Sequence, residues 1–282
     1  MKNKEILKVF LNTFDSKATQ TNYEIDIKDF SKFLNKKDKN LDNATSFDIE
    51  DFKSYLKDKG LADTTRARRI SSLKSFYKFL YEIDMKDKNI AKAVKVPKID
   101  TKKEPTYLTM KEVQKMLSVI DGSHAIRDKA IVMLFVSTGL RVSELFNLNE
   151  EDIQGNSVFV NGGKGNKSRV VQMNEQTRIA IGEYVSSKKY HSGNALFVSQ
   201  KNNRLAVTTI QETISKYVDK ANLDKDISPH SLRHTNATML LENGTNLKVI
   251  QEILGHSSLV VTQKYLHTNK EAKQEAVSKI KF

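Results

Sequence analysis

The chain has 282 residues, 38% of them apolar and including 13 Phe and 9 Tyr, which is enough for one large or two ordinary domains with cores of their own. The absence of cysteine excludes a disulfide scaffold, a thiolate metal site and a cysteine nucleophile, and agrees with a reducing compartment. The 47 Lys and Arg exceed the 34 Asp and Glu to give +13, a balance that favours a polyanionic partner. Divided after residue 106, the two halves carry +7 and +6, so neither is a basic tail and a polyanion would touch both.

The N-terminal segment MKNKEILKVFLNTFDSK is basic, but its apolar residues fall at helical intervals rather than in the continuous run of a signal peptide. No stretch approaches the length of an apolar membrane span. A soluble, cytoplasmic protein is expected. Tyr23, Ile27, Phe30 and Leu34 then recur at three- and four-residue steps, laying one apolar stripe along a helix. TSFDIEDFKSYLKDKG opens with hydroxyl residues suited to an N-cap, carries acids in its first turn and stops at Gly60. The next helix carries Ile70, Leu73, Phe76, Tyr77 and Leu80 as its apolar stripe.

Arg66, Arg68 and Arg69 open that helix, where the macrodipole disfavours cations by a few tenths of a kcal/mol each. Phosphate contact accounts for them; together with Lys74 and Lys78 they are the candidate DNA-binding residues of this half. A solvated basic face is the plainer alternative.

Pro97 and Pro105 bracket a polar, lysine-rich segment without apolar periodicity, which marks residues 96–106 as an interdomain linker between a helical domain over 1–95 and a second domain over 107–282. Thr109 and Glu112 form a capping box ahead of Val113, Met116, Leu117 and Ile120. An apolar helix, RDKAIVMLFVSTG, breaks at Gly139 and presents Arg141 at the start of the next one. NSVFVNGGKGNKSRVVQMN alternates with glycines in its middle, the pattern of a β-hairpin with Lys164 at or near the turn. Thr209 and Glu212 repeat the capping-box spacing, and the remainder reads as helix. The fold class is therefore mainly α with a small β-hairpin or sheet in the second domain.

Ser228 and Pro229 suit N-cap and N1 positions, placing His230 and Arg233 on one face of the helix that follows. His230 and His234 have the spacing of a helical metal pair, but Ser231 stands where a zinc protease needs glutamate and Arg233 would repel a dication. GGKGNKS fails as a phosphate loop, since Lys164 is followed by Gly165 and position 158 holds Val where that pattern needs glycine. Neither a metal nor a nucleotide cofactor is expected. Leu247, Ile250, Ile253 and Leu254 line one face of a helix ending at Gly255, with His256 in the turn and Tyr265 nine residues beyond it.

The ordered set TGLRVSEL, GKGNK, HSLRH, LGH and the tyrosine after it resembles the tyrosine recombinase (phage integrase) family, and within it the two-domain, Xer-like members. The resemblance implies that Arg141 and Arg233 bind the scissile phosphate, Lys164 acts as general acid, His230 and His256 assist, and Tyr265 is the nucleophile. It covers residues 107 to about 268 strongly, whereas residues 1–95 match through their helical character and the pattern around Tyr23 and Phe30. It implies a core-binding, SAM-like N-terminal domain and a catalytic C-terminal one, closing on duplex DNA as a clamp. It also implies site-specific cleavage and rejoining of DNA through a 3′-phosphotyrosyl intermediate, without metal or ATP.

By the same resemblance four copies assemble on two recombination sites, with or without a partner recombinase or accessory protein. Two rivals share the fold: a type IB topoisomerase-like enzyme and a site-specific DNA-binding protein without catalysis. No arm-binding domain is expected ahead of residue 1. In the C-terminal tail, Ala272, Ala276 and Ile280 stand at four-residue steps, fitting a helix that docks either on a neighbouring copy or on its own domain.

Overall fold

The computed structural model describes residues 2–99, 105–162 and 168–255; of these, the chain forms two compact units divided between Glu104 and Pro105. Lys164, His256, Tyr265 and the tail lie outside the described residues. Among those described, helices dominate and no helix is long and apolar enough to cross a membrane.

The first unit packs helices α1 (Lys2–Asn12), α2 (Lys17–Asn35), α3 (Ser46–Asp58) and α4 (Asp63–Glu82) around one core. The expected stripes face inward: Ile27, Phe30 and Leu34 from α2 meet Ile70, Leu73, Phe76, Tyr77 and Leu80 from α4, with Tyr23 packed at the margin. Phe10, Phe30, Phe33 and Phe52 join them in edge and tilted ring contacts, which is where much of the aromatic content is spent. Helix α3 starts at a capping box in which Thr45 accepts from the Asp48 N–H and the Asp48 carboxylate accepts from the Thr45 N–H.

The second unit contains α5 (Met110–Ser118), α6 (Ala125–Thr138), α7 (Val142–Asn147), a 3-10 turn at Glu150–Asp152, strands β1 (Ile153–Gln154), β2 (Ser157–Val160) and β3 (Arg169–Gln172), and then α8 (Glu175–Ser187), α9 (Val207–Lys220), α10 (Pro229–Glu242) and α11 (Leu247–Leu254). The strands form an antiparallel sheet in the order β1-β2-β3, with Val158 opposite Val171 and Val160 opposite Arg169. The hairpin expected around Lys164 is thus formed by β2 and β3, and position 164 falls in the connection between them. Helix α6 is central: its Ile131, Leu134 and Phe135 are fully buried, and it packs against α8, α9 and α10. The Thr109–Glu112 capping box is present at α5. Thr209 caps nothing, because α9 begins two residues earlier behind Ala206 and puts Thr209 inside the helix. Capping-box spacing recurs by chance in hydroxyl-rich segments, and here Leu205 and Ile210 fix the start of the helix by burial instead.

Candidate active site

Glycine ends the two helices that frame the site. Gly139 closes α6 with a φ of 62°, and an added Cβ there would lie 2.6 Å from Leu254 Cδ2 and 2.7 Å from Asn236 Oδ1. Only glycine fits both the left-handed conformation and the close approach. The chain then turns through buried Leu140 to Arg141, which N-caps α7. Gly255, with a φ of 63°, ends α11 in the same way beside the Arg169 guanidinium.

Arg233 enters from α10. Ser228 and Pro229 occupy the N-cap and first helical position as the sequence requires, and Thr235 ties the same helix to the Leu108 N–H at 2.9 Å. Asn236 donates to the carbonyls of Val136 and Ser137, locking α10 against the last turn of α6. Between these anchors Arg233 is only 2% exposed, and it donates through Nη1 to the Gly139 carbonyl at 2.7 Å and through Nη2 to the Leu254 carbonyl. His230 sits one turn earlier on the exposed side, with its ring edge-on to that of His234 at a centroid distance of 4.5 Å. The i, i+4 spacing places the two rings in contact on one face of α10.

Arg141 remains 40% exposed at its side chain. It donates to Glu144 Oε1 at 2.8 Å and to the Gly255 carbonyl at 3.1 Å, while its backbone N–H meets Glu144 Oε2. Arg141 and Arg233 therefore converge on neighbouring carbonyls at the C-terminal end of α11, immediately before His256. Helix C-termini carry unsatisfied carbonyls and partial negative charge, so two guanidiniums are held there by both hydrogen bonding and the dipole.

Two residues that the sequence did not single out complete the arrangement. Glu144 is buried and accepts a bidentate pair from Arg169, Nη1 to Oε1 at 2.8 Å and Nη2 to Oε2 at 2.9 Å. Burial alone would raise its carboxyl, but the Arg169 hydrogen bonds, the Arg141 N–H and the nearby cationic charge pull it from 4.5 to about 2. Arg169 also donates through Nε to the Ile253 carbonyl at 3.0 Å. Glu144 was visible only as an acid in the first turn of α7, whereas Arg169 gave no signal beyond a basic residue on an alternating strand.

In the first unit, the arginines opening α4 have intramolecular partners. Arg68 donates to Asp26, Arg69 to Asp29, and Arg66 to Asp63. Asp26 is fully buried and also accepts from Ser72 Oγ at 2.7 Å. These acids explain why a helix N-terminus tolerates arginines: Asp26 and Asp29 on α2 neutralise Arg68 and Arg69 across the helix pair, and Asp63 neutralises Arg66 from within α4 itself. The Lys74 ammonium donates to the carbonyls of Ala91, Lys92 and Val94, which gives it an architectural task beside the DNA contact expected for it. Lys78 is 66% exposed beside Glu82.

A helical unit is followed by a mainly helical unit with a small antiparallel sheet, in which two arginines gather at a helix end, and comparison with known proteins identifies the family. Residues 106–272 match the phage integrase family and residues 8–83 match the phage integrase N-terminal SAM-like domain. The chain belongs to the phage integrase family and is a tyrosine recombinase. It is 36% identical to the tyrosine recombinase XerC of Caldanaerobacter subterraneus, covering 99% of this chain and 87% of that protein. It is likewise 36% identical to XerC of Bacillus subtilis, covering 91% and 88%. Among solved structures, the XerA recombinase shares 32% identity over 99% of both chains with a TM-score of 0.56. A lambda integrase dimer bound to a COC′ core site shares the fold, with a TM-score of 0.75 at 18% identity over 92% of this chain and 94% of that one.

Proposed function

We propose that this tyrosine recombinase cleaves and rejoins duplex DNA at specific sites, with Tyr265 as nucleophile. The observation that carries the reading is the convergence of Arg141 and Arg233 at the end of α11, directly ahead of the segment bearing His256 and Tyr265. A phosphodiester is anionic and resists nucleophiles until the charge growing on its non-bridging oxygens is neutralised. Guanidiniums do this without a metal, because they stay protonated and offer a planar fork of donors.

The phenolic oxygen of Tyr265 attacks phosphorus and forms the new P–O bond while the bond to the 5′ oxygen breaks. Tyrosine is a weak nucleophile at its ordinary pKa near 10, so the surrounding cations and His230 ease the loss of its proton. Lys164 protonates the departing 5′ oxygen, and His256 donates to the phosphate as charge builds. The products are a 3′-phosphotyrosyl bond and a free 5′ hydroxyl. Since the covalent bond keeps the energy of the linkage that was cut, a 5′ hydroxyl from another strand reverses the step without ATP.

Further support comes from relatives: XerH is known bound to difH DNA and lambda integrase bound to its core site. Duplex DNA is accordingly the partner, gripped by both units. In the first unit, Lys78 and the donors of Arg66, Arg68 and Arg69 beyond their carboxylate pairs supply phosphate contacts. Exchange between two sites requires four copies, and we assign the active assembly as a homotetramer on paired sites. We assign residues 1–95 to DNA gripping, 96–106 to the linker and 107–282 to catalysis.

The test is incubation of the full chain with a nicked suicide substrate carrying a candidate site from the flanking genome. A covalent protein–DNA adduct that is lost in Tyr265→Phe is expected. An adduct that persists in that variant moves the nucleophile elsewhere, and relaxation of supercoils with no recombinant product would indicate a topoisomerase.

A further inference from the structure

Three arginines from three different elements donate to three consecutive carbonyls at the end of α11. Arg169 Nε, on β3, meets Ile253 at 3.0 Å; Arg233 Nη2, on α10, meets Leu254; Arg141 Nη2, at the start of α7, meets Gly255 at 3.1 Å. An α-helix leaves its last carbonyls without intrahelical partners, so the terminus is a fixed set of acceptors. Arg141 and Arg233 already have a place in the proposed chemistry. Arg169 has none, and its environment differs from theirs.

Arg169 is 14% exposed at its side chain, and all three kinds of its guanidinium nitrogen have protein partners. The Nη1 and Nη2 pair grips both oxygens of Glu144, the residue that in turn receives the Arg141 side chain and backbone N–H. One side chain thus touches the strand that follows the Lys164 connection, the carboxylate that orients Arg141, and the helix end from which the chain runs on to His256 and Tyr265. We infer that Arg169 is a positioning residue for strand cleavage, fixing Arg141 and the end of α11 relative to β3 without itself contacting the phosphate. The inference rests on the proposed recombinase site.

The geometry sets what substitutions do. Lysine has a single ammonium that can meet either Glu144 or the Ile253 carbonyl well, but it cannot reproduce a fork plus a third donor. Alanine removes both links. A displacement of about 1 Å in a reacting group lowers a rate by about 100-fold. The cleavage rate at saturating suicide substrate and the duplex Kd are therefore measured separately for the unaltered chain, Arg169→Lys, Arg169→Ala and Tyr265→Phe.

The expected result is cleavage lowered by about 100-fold in Arg169→Ala, an intermediate rate in Arg169→Lys, and a duplex Kd near that of the unaltered chain in both. If Arg169→Ala fails to fold, Arg169→Lys carries the comparison, since it retains the cation beside Glu144. Cleavage by Arg169→Lys at the unaltered rate, or a loss of duplex affinity that matches the loss of cleavage, overturns the inference. An unaltered chain that forms no adduct, or one whose adduct survives Tyr265→Phe, instead overturns the site reading beneath it.

Discussion

The Nη1 of Arg233 donates to the carbonyl of Gly139 at 2.7 Å, joining α10 to the end of α6 across 94 residues of sequence. Its Nη2 reaches the Leu254 carbonyl, so one side chain holds two helix ends while facing the proposed phosphate site. A structural role and the proposed chemical one are superposed on it, and the two are separable by choice of substitution. Arg233→Ala leaves those carbonyls without their donor in a buried setting, and is expected to lower Tm as well as abolish cleavage. Arg233→Lys keeps the cation but loses the fork, and is expected to keep the fold and duplex affinity while cleavage falls by about 100- to 1,000-fold. Cleavage at the unaltered rate in Arg233→Lys would remove this residue from the chemistry.

Glu144 gives the second unit a defined acid sensitivity. Its carboxyl ordinarily titrates at 4.5; burial opposes its charge, but Arg169 and Arg141 prevail and hold it at about 2 in the folded chain. A depressed folded-state pKa stabilises above the unfolded value and that stabilisation is lost as pH falls from 4.5 towards 2. The contribution near neutrality is on the order of 3 kcal/mol. Glu144→Gln keeps the shape but leaves Arg169 without its counter-charge, and is expected to destabilise the unit by about 3 to 5 kcal/mol at pH 7. Thermal unfolding of both proteins across this range should show the Tm gap narrowing as the pH falls; a gap constant with pH would mean that charge pairing is not what Glu144 contributes.

Two glycines in the left-handed region separate conformational strain from crowding. Gly139 has a φ of 62°, and a methyl group added there would meet Leu254 at 2.6 Å and Asn236 at 2.7 Å, whereas Gly122 has a φ of 87° and nothing within 4 Å. Gly122→Ala is expected to lose about 1 to 2 kcal/mol, the left-handed penalty alone. Gly139→Ala adds overpacking against a side chain fixed by two hydrogen bonds, for a total of about 2 to 5 kcal/mol. Equal Tm shifts for the two substitutions would show that Leu254 and Asn236 yield, and that the close approach at Gly139 is not a constraint.

Local signals in the sequence proved readable where local physics decides. Thr109 with Glu112, Ser228 with Pro229, and glycines 139 and 255 each mark a helix end through groups three residues apart or fewer, and the stripe from Ile70 to Leu80 faces the core. Thr209 failed because the same local spacing was overruled by which residues are buried. Arg169 was illegible for a different reason. Its partners Glu144 and Ile253 lie 25 and 84 residues away, and nothing in a strand arginine says which distant acceptors will surround it. The α4 arginines show the same limit: their charge suggested phosphate, yet Asp26 and Asp29, some forty residues earlier, meet two of them inside the unit.

That internal pairing makes a prediction about how the first unit divides its cations between folding and DNA. Asp26 is fully buried and accepts from Arg68 and from Ser72 Oγ, so Asp26→Asn removes the charge that balances Arg68 and is expected to lower stability by about 1 to 3 kcal/mol. Lys74 is bound to three carbonyls of the segment after α4, so Lys74→Ala should lower Tm and leave the salt dependence of DNA binding unchanged. Lys78 is largely exposed, and its pair with Glu82 at 3.4 Å is worth little in water. Lys78→Ala should therefore leave Tm unchanged and reduce the slope of log affinity against log salt by about 1, the signature of one lost phosphate contact. The measurement is duplex affinity across a salt series for both lysine variants. A lower slope for Lys74→Ala with an unchanged one for Lys78→Ala would reverse the assignment and place the DNA on the face of α4 that carries residue 74.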